Sequence, residues 1–163
     1  MSFENVSKFR LMKMFSFFYQ ETCFENYFFS RPRNPNDTYF FTIFKNSQHQ
    51  RKATVGKRTT KTNYMTLDPR VSDDQSIFHA LLHVIGFLHE HQRPDRHNYV
   101  TVHLANIPYV HDRQFKPLNR SQTFGPYDPS SIMHYKYLQG STSPNHPTIT
   151  SNVCFLYHIN NSI

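Results

Sequence analysis

The sequence predicts an α+β domain: an early helix, a small N-terminal sheet, a buried helix at the start of the second half, and a mostly irregular C-terminal half. Three observations lead there. Residues 38–44, Thr-Tyr-Phe-Phe-Thr-Ile-Phe, are β-branched and aromatic throughout, the composition of a strand. From Ser72 to Gly86 a polar start, an apolar middle and a glycine stop follow in the order of a helix. After Pro94 the chain reads as loops and short helical pieces as far as Pro129, and no repeat or low-complexity tract appears. At 163 residues the chain has the size of one domain.

Taken in order, Phe9, Met12, Phe15 and Tyr19 fall near helical spacing with Arg10 and Lys13 between them, which suits an amphipathic first helix. The start, Met1 to Arg10, lacks the basic-then-apolar order of a secretory leader, so no clear signal peptide is read there. A strand is expected near residues 23–29 and another near 62–67, on either side of the run at 38–44. Arg31 to Asp37 supplies turn chemistry with two prolines. Arg51 to Lys61 is polar and basic around Val55-Gly56. In the helix that follows, Ser72 is the expected cap, with Gln75 completing a capping box and Asp73 and Asp74 suiting the positive helix end. Ile77, Phe78, Leu81, Leu82, Val84 and Ile85 spread apolar surface around most of the rod, which implies burial. Gly86 is a natural stop.

Composition narrows the function classes. With 16 Phe and 10 Tyr the chain can build a core from large side chains and is not a disordered polymer. No run approaches the ~18 uncharged apolar residues of a membrane-spanning helix. The net charge of +7 is carried by a chain only 18 % charged, so the excess is thin and reads as a solvated basic surface. A nucleic-acid interface through Arg51, Lys52, Lys57, Arg58 and Lys61 has no recognition motif behind it, and no nucleic-acid partner is expected. Cys23 and Cys154 allow one disulfide and leave the redox compartment open. Asn5, Asn36, Asn119 and Asn160 each open an N-x-S/T triplet, which matters only in a secreted chain.

The histidines carry the chemistry. His79 and His83 are four residues apart on the predicted helix, so both imidazoles share one face. Gly86 lets the backbone leave helical geometry, and the redirected chain can bring back His89 as a third ligand. Three neutral nitrogens with open positions beside them make a catalytic type of zinc site. At this chain's His and Gly frequencies the pattern His-x-x-x-His-x-x-Gly-x-x-His arises by chance in roughly one such chain in a thousand. The alternative is accidental spacing in a His-rich segment, or core histidines satisfied by hydrogen bonds.

The stretch from His79 to Val100, His-Ala-Leu-Leu-His-Val-Ile-Gly-Phe-Leu-His-Glu-His-Gln-Arg-Pro-Asp-Arg-His-Asn-Tyr-Val, resembles the zinc signature of the astacin metallopeptidases. Beyond the histidines it includes Glu90, Arg93, Asp95, Arg96, Tyr99 and Val100. Downstream, Tyr127-Asp-Pro-Ser-Ser-Ile-Met-His-Tyr135 is similar to the family's Met-turn, and weaker similarity reaches back through Val55-Gly56-Lys57 to Thr22-Cys23. The resemblance implies a metzincin-like domain, with a twisted N-terminal sheet, a zinc helix and a mostly irregular C-terminal half containing the Met-turn. It implies Zn²⁺ held by His79, His83 and His89, with Met133 beneath the metal and Tyr135 as an extra ligand that swings away during turnover. Glu90 is implied to have a hydrogen-bonding role. The segment before Val55-Gly56 is implied to be an edge strand to which a protein or peptide substrate adds by backbone pairing.

The departures from the family are as informative. Its members carry Glu directly after the first His, as the general base; here that position is Ala80. Loss of a positioned general base costs about 10²–10⁴ in rate, so peptidase activity is expected to be weak or absent, although no ligand is lost. A family disulfide is absent at both of its positions, Arg51 and Val71. Cys23 matches a family cysteine whose partner lies later than Cys154. Residues 1–163 are thus expected to form a single astacin-like domain lacking the pro-segment and the C-terminal end. Two functions stand open: a zinc metalloendopeptidase homologue with impaired catalysis, and a non-catalytic, zinc-containing module that binds peptide. The resemblance implies an extracellular location, and nothing in the sequence indicates an oligomeric state.

Overall fold

The computed structural model describes residues 40–45, 52–56, 62–67 and 73–153, together with Lys13, Ser16, Phe17 and Gln20. Those four early residues are helical, and the Phe17 ring meets Phe78 edge-on at 5.8 Å between centroids. Phe9, Met12, Phe15, Tyr19, the strand expected near 23–29 and both cysteines lie outside the described residues. The chain divides into two compact units, Met1–Phe87 and Leu88–Ile163.

In the first unit, β1 (Phe40–Lys45) and β2 (Thr62–Leu67) pair in parallel, with Phe40 opposite Thr62 and Lys45 opposite Leu67. The second strand has the bounds its sequence suggested, and the first is offset from 38–44 by a residue or two. Between them, Ala53 bridges antiparallel to Met65. Thr54 N–H donates to the Tyr64 carbonyl at 2.9 Å and Thr66 N–H to the Lys52 carbonyl at 2.7 Å. Threonine hydroxyls reinforce the pairing: Thr66 Oγ1 accepts from Lys52 N at 2.8 Å and Thr54 Oγ1 from Tyr64 N at 3.1 Å. Lys52–Thr54 therefore lies along β2 as an antiparallel neighbour.

The helix α1 spans Asp74–Ile85. Its cap falls one residue later than expected: Asp73, not Ser72, is extended and accepts the Ser76 N–H on its side chain at 2.7 Å. A carboxylate at that position satisfies an otherwise unpaired amide and also meets the positive end of the helix dipole, which a hydroxyl does not. Ile77, Ala80, Leu81 and Val84 form the buried stripe, packed with Met65 of β2; Phe78, Leu82 and Ile85 are partly buried around it. The helix stops at Gly86, which sits at φ 112° and donates to the His83 carbonyl, while Phe87 N–H returns to Leu82. This paired closure needs a left-handed residue, and glycine supplies it without a Cβ penalty. Gly56, at φ 60°, donates to the same His83 carbonyl at 2.9 Å, and a Cβ built there would stand 3.4 Å from the Gly86 Cα. The chain following Lys52–Thr54 is thereby held against the last turn of α1.

Among its described residues the second unit is mostly irregular, as expected, with four 3₁₀ turns at Glu90–Gln92, Arg96–Asn98, Leu104–Asn106 and Tyr109–Phe115. It adds an element the sequence reading did not contain: β3 (Val100–Val102) pairs antiparallel with β4 (Ile149–Ser151). Val100 and Ile149 from these strands pack with Ile107, Phe115 and Tyr127 in the unit's core. Tyr99 and Tyr127 stack there, with ring centroids 4.7 Å apart and planes 9° from parallel.

One test of this account lies at the helix start. Asp73→Ala removes the cap and should lower stability by about 1 kcal/mol, read as a lower denaturant midpoint with an unchanged slope. An unaltered midpoint would return the capping role to Ser72.

Candidate metal centre

His79 and His83 project from successive turns of α1, and their rings meet edge-on with centroids 4.7 Å apart. His89 follows the Gly86 turn by three residues. Each of the three offers one ring nitrogen, and these atoms all lie within 4.8 Å of one another. That spacing suits three donors around one ion, since Zn–N bonds of ~2.0–2.1 Å place ligand nitrogens well inside it after small adjustments.

Hydrogen bonding on the far side of two rings fits the same use. His83 Nδ1 lies 2.8 Å from the Phe87 carbonyl oxygen. A carbonyl only accepts, so in the neutral ring Nδ1 carries the proton and Nε2 the lone pair. His89 Nδ1 lies 3.1 Å from Gln92 Oε1, with the same consequence. Metal-binding histidines are characteristically oriented in this way by an acceptor on the second nitrogen. Burial, joined by the neighbouring His79 charge and opposed by the Phe87 bond, holds the His83 pKa below its ordinary value, which favours the neutral ring a metal requires. The donor set therefore fits a zinc ion.

The residues around the triad fall into place by unit. Ala80 is 9 % exposed and belongs to the apolar cluster with Ile77, Leu81 and Val84. At about 100° of rotation per residue, it sits on the border between that stripe and the histidine pair. In the second unit the Tyr135 ring lies 4.6 Å from the His89 ring, and its hydroxyl donates to Gln114 Oε1 at 3.1 Å. Burial raises the Tyr135 pKa. Met133 is 3 % exposed, and its carbonyl accepts the Glu90 N–H at 3.0 Å. Glu90 is a hydrogen-bonding residue: Oε1 accepts from Arg93 at 2.9 Å and from Asp128 N–H at 3.0 Å.

Arg93 organises this region. It makes a two-pronged bond to Asp95, at 3.0 and 2.8 Å, and also donates to Glu90 and to the Gly125 and Pro126 carbonyls. These bonds to Asp95 and Glu90 raise its pKa further, and the Asp95 carboxyl is held below its usual range mainly by the Arg93 bond. A planar five-donor guanidinium can meet all of these acceptors at once, which lysine cannot.

Sequence reasoning missed Gln92 and Gln114, the acceptors for His89 and Tyr135, and the depth of His91. That histidine is fully buried, donates from Nε2 to the Gln114 carbonyl at 2.9 Å, and stacks on Tyr135 at 4.1 Å. Its Nδ1 has no hydrogen-bond partner among the described residues. For Gln92 a signal was available, since an amide three residues after His89 can reach back across one tight turn.

The sequence matches the family described as Astacin (Peptidase family M12A) over residues 1–158. The chain belongs to the astacin family. It is 44 % identical over 72 residues to astacin-like metalloprotease toxin 2 of Loxosceles intermedia, covering 43 % of this chain and 28 % of that protein. It is 36 % identical over 99 residues to zinc metalloproteinase nas-7 of Caenorhabditis elegans, covering 59 % and 26 % respectively. Among solved structures it is similar to high choriolytic enzyme 1, a hatching enzyme zinc-protease from Oryzias latipes (medaka fish). That likeness has a TM-score of 0.65 and 28 % identity, and covers 74 % of this chain and 60 % of that one. The chain spans little more than a quarter of the two curated relatives. Zinc is named for nas-7 and for the hatching enzyme, and His79, His83 and His89 form a zinc-binding triad. The fold is α+β and astacin-like.

Two measurements follow. The purified protein should carry about one zinc per chain, and His83→Ala should abolish this in metal analysis; unchanged metal content would overturn the triad. Acidification should weaken the metal-free fold. His91, with its pKa lowered by burial to about 3, and His83 and His134, lowered by the same cause, are held neutral in the folded chain. The unfolded chain then binds more protons below pH ~6.5, so each group removes up to about 1.4 kcal/mol per pH unit as pH falls. For His91 that loss continues to about pH 3. Denaturant unfolding at a series of pH values reads the slope, and a flat profile from pH 7 to 4 would contradict the buried neutral histidines.

Proposed function

We propose that this chain is an astacin-type zinc domain directed at protein or peptide, in which hydrolysis is weak or absent because Ala80 occupies the general-base position. The observation that carries the reading is the pairing of a complete histidine triad with a methyl group beside it on α1. When bound, zinc would supply the electrophile for a scissile carbonyl and acidify a water molecule. The proton has then to be taken up and later delivered to the leaving amine, and an alanine side chain does neither. Of the two carboxylates at the start of α1, Asp73 is already engaged as its cap, and Asp74 lies in the first turn, more than one helical turn before His79.

Other parts of the family pattern have support of their own. The antiparallel pairing of Lys52–Thr54 with β2 supports its use as the strand that receives an extended peptide. The burial of Met133 within the turns around Ser131 and His134 supports a Met-turn at 127–135. The closeness of the Tyr135 and His89 rings supports Tyr135 as the tyrosine that serves the site, with its hydroxyl resting on Gln114. We extend the reading to one astacin-like domain across both units and to an extracellular location, in keeping with relatives that include a metalloprotease toxin and a hatching enzyme. Among the described residues no helix is long and apolar enough to cross a membrane. A second reading, capture of peptide without cleavage, rests on the same missing carboxylate and differs only in turnover.

Ala80→Glu separates these outcomes. The position borders the histidine face, so a glutamate there can turn toward it. Chelator-sensitive cleavage of casein should rise by about 10²-fold or more over the wild type. A folded, zinc-loaded Ala80→Glu protein without gain would show that the missing base is not the main defect. Vigorous chelator-sensitive cleavage by the wild type would sink the reading altogether.

A further inference from the structure

We propose that Gln92 is a positioning residue for the third zinc ligand, fixing His89 in the tautomer that presents Nε2. The inference rests on the triad reading of His89 and goes beyond it by naming what holds the ring. Gln92 is 8 % exposed and lies in the 3₁₀ turn that begins after His89. Its main chain is tied on both sides: Gln92 N–H donates to the His89 carbonyl at 3.0 Å, and Leu118 N–H donates to the Gln92 carbonyl at 2.8 Å.

The side chain is held as firmly. Gln92 Nε2 donates to the Lys116 carbonyl at 3.3 Å. A carbonyl needs a donor, so the amide nitrogen faces Lys116 and the amide oxygen faces His89. Oε1 then stands 3.1 Å from His89 Nδ1 and accepts its proton. The orientation of the amide is thus set by Lys116, and the tautomer of His89 is set by the amide. The contrast with His83 is chemical. There the acceptor is the Phe87 backbone carbonyl, which no substitution removes, whereas the acceptor facing His89 Nδ1 belongs to a side chain.

Three proteins and two readouts test this. In metal-free wild type, ¹⁵N NMR of the ring nitrogens should show His89 protonated at Nδ1. Gln92→Leu removes acceptor and donor together; His89 should become a mixture of tautomers, and zinc affinity, measured against a chromophoric chelator, should fall by about 10–100-fold. Gln92→Glu keeps an acceptor toward His89 and loses the donor toward Lys116; it should retain the Nδ1–H tautomer and zinc affinity within a few-fold of wild type. Should Gln92→Leu not fold, the tautomer and affinity of Gln92→Glu carry the test alone. Equal losses in both variants, or a folded Gln92→Leu with wild-type affinity, would reduce Gln92 to packing. A wild type that takes up no zinc would instead overturn the triad itself, so the two failures are told apart.

Discussion

At the end of α1 the His83 carbonyl takes two N–H donors, from Gly56 and Gly86, and both donors are glycines held at positive φ. The helix could not continue through such a residue, and at positive φ a side chain on either glycine would strain the backbone, although a Cβ there would make only ordinary contact with the other glycine. Two consequences converge there. The chain leaves α1 on a path that brings His89 within ligand distance of His79 and His83. The segment paired along β2 is anchored to the same turn. His83 thus contributes its imidazole to the site and its carbonyl to the scaffold.

Beyond that turn, the second unit has little regular structure to keep side chains in place. Its order comes from charge-assisted bonds instead. Arg93 gathers Glu90, Asp95 and the 125–126 carbonyls, and Arg96 donates to the His91 and Phe115 carbonyls. A buried guanidinium is expensive unless its donors are met; with them met, it fixes loop carbonyls that would otherwise need a strand or helix. The residues nearest His89 inherit their positions from this network, through the Glu90 N–H bond to Met133 and the ring stack of His89, His91 and Tyr135.

The parts legible in the sequence were those written in local spacing. Two histidines four apart, a glycine three later and a third histidine after it specify a helix face, a turn and a return. The alanine after the first histidine stood out as a departure only against the pattern of the family that the stretch resembles. The parts that were not legible depend on distant partners. Val100–Val102 is too short to announce itself as a strand until Ile149–Ser151 lies beside it. Gln92 and Gln114 look like ordinary polar loop residues until the fold sets Lys116 and Tyr135 against them. The helix start was misread by one position because Ser72 and Asp73 are both competent caps, and only the bond to Ser76 chooses between them.

The place of Ala80 on α1 has a bearing on what that position can hold. Alanine is the best helix former, and its methyl sits at the edge of an apolar cluster at no desolvation cost. An ionised carboxylate at that spot would have to leave the cluster and keep its water. A carboxylate placed there would therefore work against the packing of α1, so stability and acid–base chemistry at this position pull in opposite directions.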